Sequence, residues 1–250
     1  MIARLFSLCY WLFILLSSAL LFPVACFLRF ATSFFDPRLV VLHRFSCFWA
    51  SLYSWCNPLW HVRIEGRERI DGDTVYVMVS NHQSLADIMI IFRLMRHFKW
   101  VSKSENFRIP FIGWNMTLNR YIRIERGKLK GNLHMMRDAE ATLRNGSSVM
   151  IFPEGTRSAD GRLGAFSRGA FELAVKTGAP VLPVVIDGTA LALPKRGWVL
   201  RGSQNISLRV LLPVRPQSDA AHLAEEVHEM IARELERVRT TGPGDAVVHK

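Results

Sequence analysis

The sequence predicts an α/β fold, in which helices flank a largely parallel mixed sheet, preceded by an N-terminal membrane-embedded helical segment. Two observations carry this prediction. From His61 onward, short β-rich runs alternate with helical patterns, which is the order of a largely parallel sheet. Before that point, the 24 residues from Leu5 to Leu28 carry no charge. They are long enough for about 36 Å of helix, against a hydrocarbon core of about 30 Å.

The N-terminal segment continues beyond this first run. Pro23 lies inside the run, so a helix that crosses the bilayer and a kinked, re-entrant helix both remain open. A second apolar stretch, Leu39 to Trp60, holds Arg44 among many aromatic side chains, which suit the headgroup boundary. A cleaved signal peptide is the alternative, but the apolar run is too long for one and no convincing cleavage site follows. The predicted parts are membrane-anchoring helices (1–60), an α/β domain (61–239) and a flexible tail (240–250).

The composition favours a membrane surface. The chain is 50% hydrophobic and carries a formal net charge of +11. Nucleic acid would also attract such charge, but there is no zinc-finger spacing, RNP-like signature or basic region followed by heptads, so we predict no nucleic-acid partner. The three arginines that follow the first apolar run outnumber Arg4, which places the later residues on the cytoplasmic side (Arg29, Arg38, Arg44). The cysteines all lie in the first quarter of the chain without C-x-x-C spacing, which indicates neither a metal site nor a disulfide framework (Cys9, Cys26, Cys47, Cys56).

Within the domain, hydrophobic periodicity sets the predicted elements. The predicted strands are Thr74 to Ser80, Trp100 to Lys103, Tyr121 to Glu125, Ser148 to Phe152, Val181 to Ile186 and Ile206 to Leu212. The predicted helices are Ser84 to Arg96, Asn132 to Arg144, Arg168 to Lys176 and Ala220 to Val238. The last helix has apolar residues at helical spacing, which predicts that it packs on the domain (Leu223, Val227, Met230, Ile231, Leu235, Val238).

The stretch SNHQSLADIMI places His82 and Asp87 five positions apart, between a strand and a helix. In a helix this spacing separates side chains by about 140°, and in a strand the two side chains point to opposite faces, so they can touch only across a turn. Ser84 and Asp87 also form a serviceable capping box, which explains the aspartate without catalysis. It leaves His82 unexplained at the carboxyl end of a strand, where open α/β sheets bind ligands.

A second stretch, VMIFPEGTRS, runs from a buried strand into Pro153, Glu154, Gly155, Thr156 and Arg157. An ordinary strand-to-loop turn accounts for the proline and the glycine. An arginine beside a glycine-containing loop is also well suited to grip a phosphate with its planar guanidinium. Both readings remain open from the residues alone.

Together these stretches resemble the glycerophosphate and lysophospholipid acyltransferase family, most of all its bacterial 1-acyl-glycerol-3-phosphate acyltransferases. NHQSLAD matches the N-H-x-x-x-x-D block of the family, FPEGTRS matches its F-P-E-G-T-R-S block, and GAPVLPVVI matches a later proline-containing strand. FKWVSKSENFRIPFIGW is similar to the stretch that follows the first block, and the resemblance covers roughly residues 61–215. One block departs from the pattern: RYIRIER has Arg120 and Arg123 in unexpected places, although Arg126 still aligns with the arginine of that block.

The resemblance implies the glycerolipid acyltransferase fold and transfer of a fatty acyl chain from a thioester donor, acyl-CoA or acyl-acyl carrier protein. The acceptor would be the sn-2 hydroxyl of lysophosphatidic acid, and the product phosphatidic acid. His82 would be the general base and Asp87 would hold its imidazole. The acceptor site would consist of Arg126, Glu154, Gly155, Thr156 and Arg157, with help from Lys103. The chemistry needs no metal and no cofactor.

The altered arginine block keeps a relative that acylates another lysolipid, such as a lyso-aminolipid, as an alternative. A noncatalytic lipid-binding membrane adaptor is a further alternative, although a binder would not need both His82 and Asp87. The expected location is a bacterial inner membrane with the catalytic domain on the cytoplasmic side, where membrane lipids are partners.

Overall fold

The computed structural model describes residues 1–125, 127, 129–217 and 219–240. Two helices come first, α1 (Ile2–Ala31) and α2 (Val40–Trp55). The strands are β1 (Trp60–Glu65), β2 (Val77–Ser80), β3 (Phe98–Lys103), β4 (Ile122–Ile124), β5 (Ser148–Ile151), β6 (Val181–Asp187) and β7 (Gln204–Val210). The remaining helices are α3 (Ala86–Phe92), α4 (Ile112–Leu118), α5 (Leu129–Arg144), α6 (Gly169–Thr177), α7 (Thr189–Ala192) and α8 (Ala220–Thr240).

The strands form one sheet in the order β1-β7-β6-β2-β5-β3-β4. All neighbours are parallel except β6 and β7, which are antiparallel. Strands β2 and β5 lie side by side at the centre, and every residue of both strands is buried, so their apolar runs read without alternation. The segments that leave these two strands therefore emerge together at one edge of the sheet, where doubly wound folds place their ligands.

Two apolar layers cover the faces of the sheet. One layer joins α1, α2 and α3 to residues such as Met78, Trp100 and Met150. The other joins α5, α6 and α8 to residues such as Val77 and Val149. Because side chains alternate along a strand, neighbouring residues of β2 serve opposite layers. The predicted α/β class with a largely parallel mixed sheet is confirmed.

Each predicted strand and helix of the domain occurs, with shifted ends. Three elements were not predicted: the edge strand β1 and the short helices α4 and α7. Strand β1 alternates polar and apolar residues, and its first residue, Trp60, is also the last residue of the predicted apolar stretch that begins at Leu39. The predicted helix from Ser84 to Arg96 is also too long, since α3 ends at Phe92 in a turn that puts Met95 at a φ of 54°.

Helix α8 ends later than predicted, at Thr240, and the residues beyond it lie outside the described part of the chain. Its buried residues include four of those predicted to pack on the domain (Leu223, Val227, Ile231, Leu235). Ionic contacts also tie α8 to the sheet: Arg209 Nη1 lies 2.7 Å from Glu234 Oε1, and Arg239 Nη2 lies 2.9 Å from Asp187 Oδ1. The division into three predicted parts stays a prediction.

Helix α1 is one helix of 30 residues that continues through Pro23. By length and composition, it is the one helix in the described part of the chain that could cross a membrane. It nevertheless lies against the domain. The Trp11 indole donates to the carbonyl of Trp198 (2.6 Å), and the Ser7 hydroxyl accepts the N–H of Leu200 (2.8 Å). Fifteen residues after Ser7, Phe22 packs on Trp114, with ring centroids 5.5 Å apart.

Candidate active site

The segment that leaves β2 is fixed by Asn81. Its side-chain amide donates to the carbonyl of Ile186 (2.7 Å), and its side-chain oxygen accepts the N–H of the same residue (2.9 Å). These two hydrogen bonds resemble those of one further residue pair between β2 and β6, although β2 ends at Ser80. The position of His82, the next residue, is therefore set by the sheet.

His82 and Asp87 meet across the predicted bend. His82 Nδ1 lies 2.8 Å from Asp87 Oδ2, and the Asp87 side chain is fully buried. The same oxygen accepts the N–H groups of Gln83 (2.6 Å) and Ser84 (2.9 Å). A carboxylate that accepts two N–H groups requires Nδ1 to donate as well. This arrangement leaves the lone pair on Nε2, which has no hydrogen-bond partner among the described residues.

One of the two hydrogen bonds of a capping box is present in this turn, together with the contact between Asp87 and His82. Asp87 lies in the first turn of α3 and accepts the N–H of Ser84, as a capping box requires. The Ser84 hydroxyl accepts the N–H of Ala86 (3.1 Å) and donates to the carbonyl of Leu193 (2.6 Å). The Asp87 carboxylate thus lies in the first turn of α3 and also orients His82. The start of this helix therefore fixes the position of the imidazole.

The loop after β5 contacts His82 on its ring and on its backbone. The rings of His82 and Phe152 are stacked, with centroids 3.9 Å apart and planes 10° apart. Glu154 Oε1 accepts the N–H of His82 (2.6 Å), and its other oxygen accepts the N–H of Gly164 (2.9 Å). The N–H of Ser158 donates to the carbonyl of His82 (2.7 Å). The segment after β2 and the loop after β5 therefore form one structural unit, the catalytic unit.

Burial raises the pKa of the Glu154 carboxyl above its usual range, although the N–H groups of His82 and Gly164 work in the opposite direction. A Cβ at position 164 would lie 2.9 Å from Glu154 Oε2, so a larger residue there would displace this carboxylate. Gly155 adopts a φ of 68°, a left-handed conformation that favours glycine. The carboxylate of Glu154 therefore joins three loop segments instead of pointing to solvent.

The other predicted site residues lie at the same edge of the sheet or outside the described residues. Thr156 is exposed, and Arg157 is half-buried without a hydrogen bond or ion pair to any described residue. Lys103 is exposed at the end of β3, the strand beside β5. Arg126 falls outside the described residues. The loop after β5 and the end of β3 can thus present cations near His82.

The two unexpected arginines lie elsewhere, beside the edge strand β4. They line an open cavity of about 420 Å³ together with Phe107 and Thr117, and no residue of the catalytic unit borders it. The guanidinium of Arg123 lies 4.6 Å from the ring of Phe107 and donates to the Thr117 hydroxyl (3.1 Å). Arg120 adopts a φ of 54°. The departure from the family pattern is therefore outside the catalytic unit.

Comparison with known proteins agrees with this geometry. The sequence model of the family described as Acyltransferase matches residues 61–187, which hold both motifs. The chain belongs to the acyltransferase family. A chloroplastic 1-acyl-sn-glycerol-3-phosphate acyltransferase of Arabidopsis thaliana is 36% identical over 204 residues, which cover 81% of this chain and 56% of the relative. This acyltransferase chain thus spans little more than half the length of that relative.

Two bacterial acyltransferases are also similar. The 1-acyl-sn-glycerol-3-phosphate acyltransferase of Pseudomonas aeruginosa is 34% identical over 155 residues, which cover 58% of this chain and 60% of the relative. The crystal structure of the 1-acyl-sn-glycerophosphate acyltransferase PlsC from Thermotoga maritima superposes with a TM-score of 0.78 at 28% identity. That superposition covers 95% of this chain and 98% of the other. The family predicted from the two motifs is confirmed.

Sequence reasoning missed two residues that shape this acyltransferase site, Asn81 and Phe152. Asn81 directly follows a buried strand, and an asparagine side chain that can pair with backbone groups is the local signal for its contact. Phe152 was read as the last residue of a strand. Its contact with His82 depends on β2 and β5 being neighbours, which no local pattern reports.

Proposed function

We propose that the protein transfers a fatty acyl chain from a thioester donor to the sn-2 hydroxyl of lysophosphatidic acid, forming phosphatidic acid. The observation that carries the proposal is the geometry of His82, whose Nδ1 is held by a buried carboxylate while Nε2 has no partner among the described residues. The names of these relatives support the choice of acceptor, since each contains 1-acyl-sn-glycerol-3-phosphate or its synonym.

In the proposed reaction, His82 Nε2 accepts the proton of the acceptor hydroxyl as its oxygen attacks the thioester carbonyl carbon. A C–O bond forms and the C–S bond breaks, and the proton passes from Nε2 to the departing sulfur or to water. A thiol with an ordinary pKa of about 8.5 leaves readily, so the protein need not supply its own nucleophile. Asp87 stabilises the imidazolium that forms in between.

We assign the acceptor phosphate to Arg157 and Lys103 at this edge of the sheet, and on the family pattern also to Arg126, which lies outside the described residues. Guanidinium groups bind phosphate through paired hydrogen bonds, and Arg157 forms none with the described protein. Glu154 stabilises the backbone around the site, because its two oxygens accept the N–H groups of His82 and Gly164. Gly155 and Thr156 belong to the loop that Glu154 holds.

The position of α1 supports membrane attachment. Phe152 packs on the apolar layer that also contains Tyr10 and Ile14 of α1, so the catalytic unit and the helix share one side of the sheet. The outer face of α1 is exposed and apolar, for example at Leu16 and Leu20. We propose that α1 lies along the membrane surface, because a helix that contacts the domain from Ser7 to Phe22, about 22 Å, cannot cross the bilayer without drawing the domain into it.

The proposed location is the cytoplasmic side of a bacterial inner membrane, whose anionic lipids would attract a chain with a formal net charge of +11. Acyl-CoA and acyl-acyl carrier protein are both donors of the required thioester class. Membrane lipids are the remaining partners.

The test is acyl transfer by purified protein, with labelled donor and a panel of lysolipids that includes lysophosphatidic acid and a lyso-aminolipid. We expect activity with lysophosphatidic acid, and we expect His82→Ala to lower kcat/KM by about 10²- to 10⁴-fold, the range for general-base catalysis. His61→Ala is the matched control, because His61 is an exposed histidine of β1 bonded to the Ser203 hydroxyl. Transfer only to another lysolipid would contradict the acceptor, and full activity of a folded His82→Ala variant would contradict the base.

A further inference from the structure

The ring of Phe152 lies against that of His82, and the proposed mechanism assigns no role to Phe152. The two ring planes are almost parallel, with an angle of 10° between them and a centroid distance of 3.9 Å. Phe152 also packs against Trp100, whose ring centroid is 5.5 Å away. Trp100 is buried and contacts Phe92 and Phe98 in the core. A row of rings thus connects the histidine to the interior of the domain.

The contact restricts a motion that Asp87 leaves free. One hydrogen bond at Nδ1 fixes one point of the imidazole, and the ring can still tilt about that point. A flat surface at van der Waals distance removes this tilt, so that the direction of Nε2 is defined. Rates of acyl transfer depend steeply on such alignment, and a misplacement of about 1 Å costs about a hundredfold.

The contact also favours the charge that the reaction creates. When Nε2 accepts a proton, the ring becomes a cation lying over the face of a benzene ring. Aromatic faces attract cations through their quadrupole. Asp87 approaches the imidazolium at its edge, whereas Phe152 approaches its face, so the two contributions are separate.

We propose that Phe152 is a positioning residue, which holds the His82 imidazole face-on and stabilises its protonated form during acyl transfer. This inference rests on the proposed function. A purely structural Phe152 would affect stability alone. Its half-buried position at the end of a strand differs from that of Met150, which is fully buried in the same layer.

The kinetic test compares Phe152→Leu, which removes the aromatic face, with Phe152→Tyr, which keeps it. We expect Phe152→Leu to lower kcat by about ten- to a hundredfold with the KM for the lysolipid unchanged. Phe152→Tyr should restore kcat. Phe171→Leu is the matched control, since Phe171 is a fully buried phenylalanine stacked on Phe166 in the other layer, and it should lower the melting temperature without changing kcat.

Wild-type kcat in a folded Phe152→Leu variant would overturn the inference while leaving the proposed function intact. A second measurement does not depend on activity. In protein with ¹³C-labelled histidine, the His82 signal is identified by its absence from His82→Ala. Its ring order parameter should fall in Phe152→Leu and recover in Phe152→Tyr. An unchanged order parameter would overturn the positioning role, even if no acyl transfer were found in the wild-type protein.

Discussion

Lys99 carries an ammonium group into the interior of the domain. The residue is 5% exposed, and its Nζ donates to the carbonyl of Asn119 (2.9 Å). Burial lowers the pKa of Lys99 from 10.5 to about 7, although the nearby Asp36 acts in the opposite direction. A buried amine of this kind is a cost to stability unless it is neutral or well paired.

Lys99→Met should remove a pH dependence of stability. Between pH 7 and 10.5 the unfolded chain holds this proton and the folded protein does not, so the free energy of unfolding of the wild type rises with pH. The slope is at most about 1.4 kcal/mol per pH unit for one group. The melting temperature of Lys99→Met should exceed that of the wild type most at pH 7 and least at pH 9.5. The control is Lys103→Met on the same strand, an exposed lysine, and a difference that grows with pH would contradict the assignment.

At this scale, the sequence predicts contacts that are local and fails for those that are not. His82 and Asp87 lie five positions apart, so a turn between a strand and a helix is enough to predict that they meet. Glu154 and Phe152 reach His82 from 72 and 70 positions away, and that contact exists only because β2 and β5 are neighbours in the sheet. Family resemblance identified Glu154 as a site residue but not what it binds.

Single elements depend on a few backbone positions, and the junction between β6 and α7 is the clearest case. Gly188 adopts a φ of 85°, and a Cβ at this position would lie 2.1 Å from the carbonyl oxygen of Asn205 in β7. A real Cβ does not fit at that distance. The antiparallel pair of β6 and β7 therefore requires glycine where β6 ends.

Gly188→Ala should destabilise the domain by more than about 3 kcal/mol, because left-handed backbone strain adds to a clash with the main chain. Gly178→Ala is the control: Gly178 ends α6 with a φ of 72°, and a Cβ there meets nothing within 4 Å. It should cost only about 1 to 2 kcal/mol. Melting temperatures in detergent measure both, at about 2 to 4 °C per kcal/mol. Equal losses in the two variants would show that the close approach to Asn205 is unimportant.

The longer elements could be predicted because each carries its own periodicity. Helix α4 could not, since its seven residues include Gly113 and Asn115, which are poor helix formers. The order of the strands also lay beyond local patterns. Strand β7 pairs with β1 on one side and reverses direction against β6 on the other, an arrangement that only packing in the complete domain selects.

For the whole molecule, the attachment of α1 to the domain is the observation that supports the proposed flat orientation at a bilayer. A spanning helix would place its two ends at opposite surfaces, whereas a helix that lies on the domain keeps both ends at one depth. Leu8 and Phe27 are both exposed and lie 19 residues apart, or about 28 Å along the helix. They are well placed to report its orientation.

Fluorophores attached at Leu8→Cys and Phe27→Cys, with the native cysteines replaced, should report similar shallow depths in vesicles probed with depth-dependent quenchers. Leu16→Glu combined with Leu20→Glu should weaken vesicle binding, since both side chains are exposed on the same helix. Leu212→Glu changes a leucine of β7's outgoing segment that is exposed to a similar extent, 65% against 61% for Leu16, and it should leave binding unchanged. A label found at the bilayer centre or at the opposite surface would contradict the flat orientation.

The hydrogen bond between Ser7 and Leu200 joins positions that are 193 residues apart. On a ribosome that adds about 5 to 20 residues per second, the first helix waits about 10 to 40 s before its docking site has been synthesised. Throughout that interval the part of α1 that later contacts Trp198 and Leu200 is uncovered. We expect it to reach lipid first, so that the nascent chain completes its folding already attached to a bilayer.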